Sequence, residues 1–183
     1  MDDLVECHQR ACNGFARVAH AVAADAWSVP TPCTAWTARE VVEHVIGFHE
    51  FLLLRPLGIR AQRPREGEAA RWDATADALF AVLAEAGAVD RVTELPGGGQ
   101  SSPRRMLGAL TTDVLVHTWD LSVATGVPAM LDAQLVDDAY RAAVDGGMDR
   151  SAGMVGPQVT VAEDASVVDK LIAFYGRSPS WPA

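Results

Sequence analysis

Between Ser102-Pro103 and Gly126-Val127-Pro128 the chain carries one uninterrupted run that reads as a long helix. Serine is a good N-cap, and proline suits the first helical position, where its missing N–H is no loss. Glycine and then proline beyond the run are the matching stop signals. Met106, Leu107, Leu110, Val114, His117 and Leu121 recur on one side at helical spacing, with Asp113 beside them. The pattern predicts a helix over residues 103–125. So long an amphipathic helix must bury its apolar side against other helices, which makes an all-α bundle the expected architecture.

Thr37-Ala38-Arg39-Glu40 is a second sharp start. It forms a capping box, with Trp36 and Val41 at the staple positions. It predicts a helix over residues 38–55, with Val41, Ile46 or Gly47, Phe48 and Phe51 on the face of His44, ended by Pro56 and Gly58. An earlier helix is expected over residues 2–27, capped by Asp2 or Asp3, on a stripe of Leu4, Cys7, Cys12, Phe15, Val18, Ala19 and Val22. Pro30 and Pro32 then force an extended connection. A further helix is expected over residues 69–85 with Trp72, Ala76, Leu79, Phe80 and Leu83 inward, and another over 132–144 with Leu135, Val136, Ala139 and Tyr140 inward.

The connections are less regular. Residues 58–68 are a polar, arginine-rich loop. Residues 90–96 alternate like a short strand or extended loop before the Gly97-Gly98-Gly99 turn. No Gly-Lys-Ser/Thr follows those glycines, so they are no phosphate loop. Residues 148–161 are loop-like, with 159–161 extended, and residues 164–176 fit a short last helix followed by a tail. The expected division is a bundle at 1–147 and a small helical appendage at 148–183.

Hydrophobic residues make up 49% of the chain and charged residues 21%, enough to build a core. Net charge is -9, so nucleic acid is a poor partner; the arginines at 60, 63, 65 and 71 are interleaved with Glu66, Glu68 and Asp73. The most apolar run, residues 41–54, is broken by Glu43, His44, His49 and Glu50 and falls short of a membrane span. Cys7, Cys12 and Cys33 are odd in number and widely spaced, which favours a reducing compartment over a disulfide framework. Met1-Asp2-Asp3-Leu4 has no signal-peptide character. A cytoplasmic, soluble protein is expected.

The chemistry centres on Asp113 and His117. Four residues apart on a helix, they stand one above the other. An aspartate and a histidine so placed are half of a metal site, and an ion or a salt bridge would remove the cost of burying the carboxylate. His44 on the 38–55 helix is the natural third ligand; His8, His20 and His49 compete. His49 is turned away from the face of His44, and His8 and His20 read as surface or boundary residues. Asp120 could equally partner the His117 ring. Cys33 would be a nucleophile only with a base in reach, and reads better as a structural cysteine. The five tryptophans read as packing residues, and Arg39, Arg55 and Arg141 as solvated.

Residues 31–47 (TPCTAWTAREVVEHVIG), residues 113–126 (DVLVHTWDLSVATG) and the closing 170–179 (KLIAFYGRSP) resemble signatures of actinobacterial proteins related to mycothiol-dependent maleylpyruvate isomerase. The wider group is the DinB-like superfamily of four-helix bundles. The resemblance implies a divalent metal, zinc first and nickel second, held by His44, Asp113 and His117. It also implies a small-molecule thiol, mycothiol, as co-substrate in an isomerase or S-transferase. Asp113 stands where the isomerase carries glutamate, so the acidic arm is shorter. A metal-binding bundle without catalysis, and a metal-free relative with Asp113 paired to an arginine, are the alternatives. No nucleic acid or membrane partner is implied; a homodimer is compatible.

Overall fold

The computed structural model describes residues 2–34, 36–62, 64, 67–147, 150–151 and 155–182. Four long helices form the bundle: α1 (Asp3–Ala21), α2 (Ala38–His49), α3 (Glu68–Leu83) and α4 (Pro103–Thr125). A two-stranded antiparallel ribbon, β1 (Thr93–Glu94) and β2 (Gln100–Ser101), joins α3 to α4, with Thr93 opposite Ser101 and Glu94 opposite Gln100. Two further helices follow, α5 (Ala133–Gly146) and α6 (Val167–Phe174), which pack on each other. The fold is all-α, a bundle of the DinB-like kind.

Local signals set the helix ends. Asp2 caps α1 by accepting from the Leu4 amide. Thr37 and Glu40 form the capping box of α2, each bonding the other's backbone N–H. Gly126 closes α4 in the left-handed conformation, φ 71°, which glycine adopts without strain. Ser102 occupies the N-cap position of α4 but makes no side-chain capping bond; proline alone marks that start. Asp132 caps α5 through the amides of Gln134 and Leu135.

Three details depart from the sequence pattern. The helix expected to reach residue 27 ends at Ala21, where the backbone turns extended at Val22; residues Ala26–Ser28 form a separate 3-10 turn. The buried face of α1 runs through Val5, His8, Ala11, Cys12, Phe15, Val18 and Ala19. It is rotated from the stripe that begins at Leu4 and Cys7, so His8, expected near the surface, is fully buried. The third departure follows α2, where residues Glu50–Leu54 form a π-turn. Its wider turn shifts every later side chain around the axis. Leu53 and Leu54 therefore enter the core, while Phe51, expected inward, is exposed. Residues 159–161 join no strand; Val159 donates instead to the Ala173 carbonyl. Arg63, Arg65 and Glu66 of the arginine-rich stretch, and part of the 148–161 loop, lie outside the described residues.

α1 lies against both α3 and α4, and α2 does the same. The two are therefore diagonal neighbours, each facing the bundle axis from opposite corners. Phe15 of α1 and Trp72 of α3 meet edge to face, ring centroids 5.1 Å apart, in the main core. A second core cluster, around Leu53, Leu54, Leu79 and Leu107, fills the other end. No described helix is long and apolar enough to cross a membrane.

Candidate metal centre

The capping box fixes the rotation of α2, and with it the direction of His44. The long α4 carries Asp113 and His117 one turn apart. These two helices pack together, and the three side chains converge: their ligand atoms all lie within 4.8 Å of one another. Asp113 Oδ1 is 3.4 Å from His44 Nε2 and 3.5 Å from His117 Nε2. Those separations are long for charge-assisted hydrogen bonds, which favour roughly 2.7–2.9 Å. They suit neighbouring ligands of one ion: zinc bonds of roughly 2.0–2.2 Å put the corners of a tetrahedron about 3.3–3.6 Å apart. The other carboxylate oxygen, Asp113 Oδ2, is buried without a hydrogen-bond partner. A carboxylate with one orphaned oxygen and two imidazoles beyond good bonding distance fits a metal-ligand set.

Behind the triad stands a second layer. His117 Nδ1 donates to Asp120 Oδ2 at 2.9 Å, which leaves Nε2 aimed at Asp113. Asp120 is completely buried, yet it is paired twice over. Arg177 reaches it with Nη2 at 2.9 Å and Nε at 3.2 and 3.3 Å. Arg177 comes from the segment just after α6, so the end of the chain sets the ring that α4 presents. A carboxylate behind a ligating histidine is the usual device for fixing its tautomer.

The charges follow. Burial alone would lower the His117 pKa, but Asp113 and Asp120 outweigh it and raise it to about 9. Burial pushes Asp113 up, yet His117 and His44 hold it well below the usual carboxylate range. Asp120 is likewise held down, against its burial, by His117 and Arg177. A cation entering the triad must displace the proton on His117, so metal and proton compete for one nitrogen.

Aromatic rings wall one side. Trp36 stacks on His44 at 4.3 Å between centroids and tilts towards His117 at 5.6 Å. Phe48 lies 5.0 Å from His44. The His44 and Asp113 side chains stay 23% and 20% exposed, so the triad remains partly open to solvent away from those rings. A cavity of about 710 Å³ lies elsewhere, between Glu50, Arg55 and residues 58–61. None of the triad lines it, and the convergent donor atoms lie outside it.

Of the histidines that competed on spacing, His20 is at the surface beside Asp73, 2.7 Å away. His8 and His49 meet each other in a separate buried group with Cys12. Cys33 is half-buried. Two residues at the site are not evident from spacing. Trp36 looks like a staple residue but faces His44. Arg177 is too remote in sequence from Asp120 for any local pattern to pair them; its place in the closing YGRSP signature is the one available hint.

Residues 8–122 match the family described as the mycothiol maleylpyruvate isomerase N-terminal domain. The chain belongs to that family. Two uncharacterized proteins of Mycobacterium tuberculosis, one from strain CDC 1551 and one from H37Rv, are each 33% identical to it over 195 aligned positions, covering 97% of this chain and 99% of theirs. No solved structure matches it significantly.

Proposed function

We propose that this family member is a divalent-metal protein that uses a low-molecular-weight thiol, mycothiol, to isomerise an electrophilic substrate or transfer sulfur to it. The observation that carries the reading is the triad of His44, Asp113 and His117, with its ligand-like separations and the orphaned Asp113 oxygen. Family membership adds the thiol. Zinc is the first choice of ion, since imidazole and carboxylate donors on three protein arms leave a position for an outside ligand. When bound, such a cation would stabilise a coordinated thiol as thiolate at neutral pH.

This chain's own residues do the rest. Asp120 holds the His117 tautomer. Asp113 supplies the negative charge that offsets a cation. Trp36 and Phe48 shield one side of His44, which directs approach from the exposed side. In an isomerase the sulfur adds to a conjugated double bond, the resulting single bond rotates, and the same sulfur leaves. The thiol is regenerated and nothing is oxidised or reduced. In a transferase the carbon–sulfur bond is kept and a leaving group departs with its electron pair. Residues 1–147 would carry this chemistry, with 148–183 contributing Arg177 as a support.

The metal-free alternative needs an arginine at Asp113; Arg177, which approaches this region, pairs with Asp120 instead. The test is metal analysis of protein made without a histidine tag, followed by turnover of mycothiol with maleylpyruvate. The expected result is that His44→Ala and Asp113→Ala each lose one metal ion per chain, with thiol-dependent turnover lost alongside it. Metal content unchanged in both variants would overturn the site. Bound metal with no thiol turnover would favour a binding protein.

A further inference from the structure

A second donor group lies inside the bundle, across its diagonal. His8 and Cys12 are one turn apart on α1, and His49 is the last residue of α2. All three are buried, at 0%, 1% and 0% exposure, and their ligand atoms lie within 4.8 Å of one another. His8 Nε2 is 3.0 Å from His49 Nε2, and Cys12 Sγ is 3.5 Å from His8 Nε2.

Counting protons shows why this group is incomplete as a set of neutral side chains. His49 Nδ1 lies 2.6 Å from the Val45 carbonyl, which can only accept, so that nitrogen carries the hydrogen. The Thr111 hydroxyl donates to the Leu107 carbonyl at 2.7 Å, so it accepts from His8 Nδ1 at 3.0 Å. Both Nε2 atoms are then bare lone pairs pointed at each other. One thiol proton cannot satisfy the two of them. Protonating either ring would place a cation in the core. Burial opposes that in both and outweighs the rest; His49 opposes it further at His8 and His44 does so at His49, while the Val45 carbonyl at His49 and the field of Asp113 at both rings favour it.

The geometry points to a second metal site, in which His8 Nε2, His49 Nε2 and the Cys12 thiolate take a zinc-class transition ion. Two imidazoles and a thiolate suit zinc or cobalt(II). With bonds of roughly 2.3 Å to sulfur and 2.0–2.1 Å to nitrogen, a tetrahedral S···N edge is about 3.5 Å, as found here for Cys12 and His8. The two rings need to part by only a few tenths of an ångström to reach the corresponding nitrogen edge. On binding, Cys12 loses its thiol proton to solvent and its sulfur electron pair goes to the ion. The thiolate and the nearby Asp113 carboxylate offset the ion's charge. Burial assigns it a structural role: it would pin α1 to α2 across the diagonal, where the two helices otherwise share few direct contacts.

Cobalt tests this separately from the triad, because only the new site has sulfur. A Cys7→Ser/Cys33→Ser protein, made without a histidine tag in cobalt-supplemented medium, keeps Cys12 as its sole thiol. The expected result is a near-ultraviolet thiolate-to-cobalt charge-transfer band. Adding Cys12→Ser, or Cys12→Ala as a second variant, should abolish the band and remove one cobalt per chain. His44→Ala should keep the band. If the triad proposal alone fails, the band persists with a single cobalt per chain that His44→Ala does not change. No band in the starting protein, which needs no further variant to interpret, would overturn the second site. So would a band or cobalt content indifferent to Cys12.

Discussion

Asp120→Asn separates support of the fold from support of the triad. The wild-type carboxylate is fully buried and accepts from His117 Nδ1 at 2.9 Å and from Arg177 Nη2 at 2.9 Å. Asparagine keeps the shape but turns one acceptor oxygen into a donor. Whichever way the amide faces, its NH2 meets either the His117 N–H or the Arg177 fork. The loss also leaves the Arg177 charge, itself only 8% exposed, without its counter-ion. Breaking a buried pair from one side costs about 3–5 kcal/mol. At the triad, losing the group that orients a ligating histidine lowers metal affinity about 10–100-fold. Urea unfolding of metal-free protein reads the first quantity, and zinc competition against a chromophoric chelator reads the second. Arg177→Met is the control: the His117–Asp120 bond survives, so stability should fall while zinc affinity stays within about threefold. If Asp120→Asn loses less than about 1 kcal/mol, or binds zinc within about threefold of wild type, the account of Asp120 as a double support is wrong.

Other outcomes follow from single positions. The π-turn predicts that Leu54→Ala costs about 2–5 kcal/mol in urea unfolding while Phe51→Ala costs less than about 1; equal losses would mean a plain α-helical register there. In metal-free protein the His117 pKa of about 9 lies above its ordinary 6.5, so the stability it contributes is full below pH 6.5 and lost as pH rises through 9. The urea midpoint in chelator should therefore fall across that window, and saturating zinc should reverse the trend, because the neutral ring is the ligand form. Gly176 has φ 82°, and a Cβ there would sit 3.1 Å from the Gly156 backbone; Gly176→Ala should lower stability by about 1–3 kcal/mol. Thr37→Ala removes the capping oxygen of α2 and should cost about 1 kcal/mol by thermal unfolding.

How far the sequence could be read depended on the range of the forces involved. Helix starts at Thr37 and Pro103 are decided within one turn, so residues 38 and 103 are found as α2 and α4 begin. Asp113 and His117 share a helix, and their alignment follows from its pitch. Their meeting with His44 is the natural reading of the residues, though His8, His20 and His49 compete with it; the resemblance points to the same histidine. The π-turn at Glu50–Leu54 has no local signature; packing of Leu53 and Leu54 selects it over a continuous α-helix. Arg177 and Asp120 are joined only by the tertiary fold. His8 departs from the sequence pattern because a polar side chain enters the core there. The apolar spacing puts the stripe of α1 on Leu4 and Cys7, whereas the helix buries Val5 and the polar His8.

That rotation has a consequence for α2. His44 and His49 are five residues apart, roughly 140° around the helix axis, so one helix can serve two groups on different sides. His44 turns to α4, where the site stays partly open. His49 turns to α1, where all donors are buried. An open three-donor set suits exchange of an outside ligand, and a closed one suits permanence. The field of Asp113 reaches His8 and His49 as well as its own partners, so the two groups are electrostatically coupled. Filling one should change the proton or metal affinity of the other. Zinc affinity at the triad, measured in Cys12→Ser and in Cys12 proteins, should therefore differ; identical affinities would show the two groups to be independent.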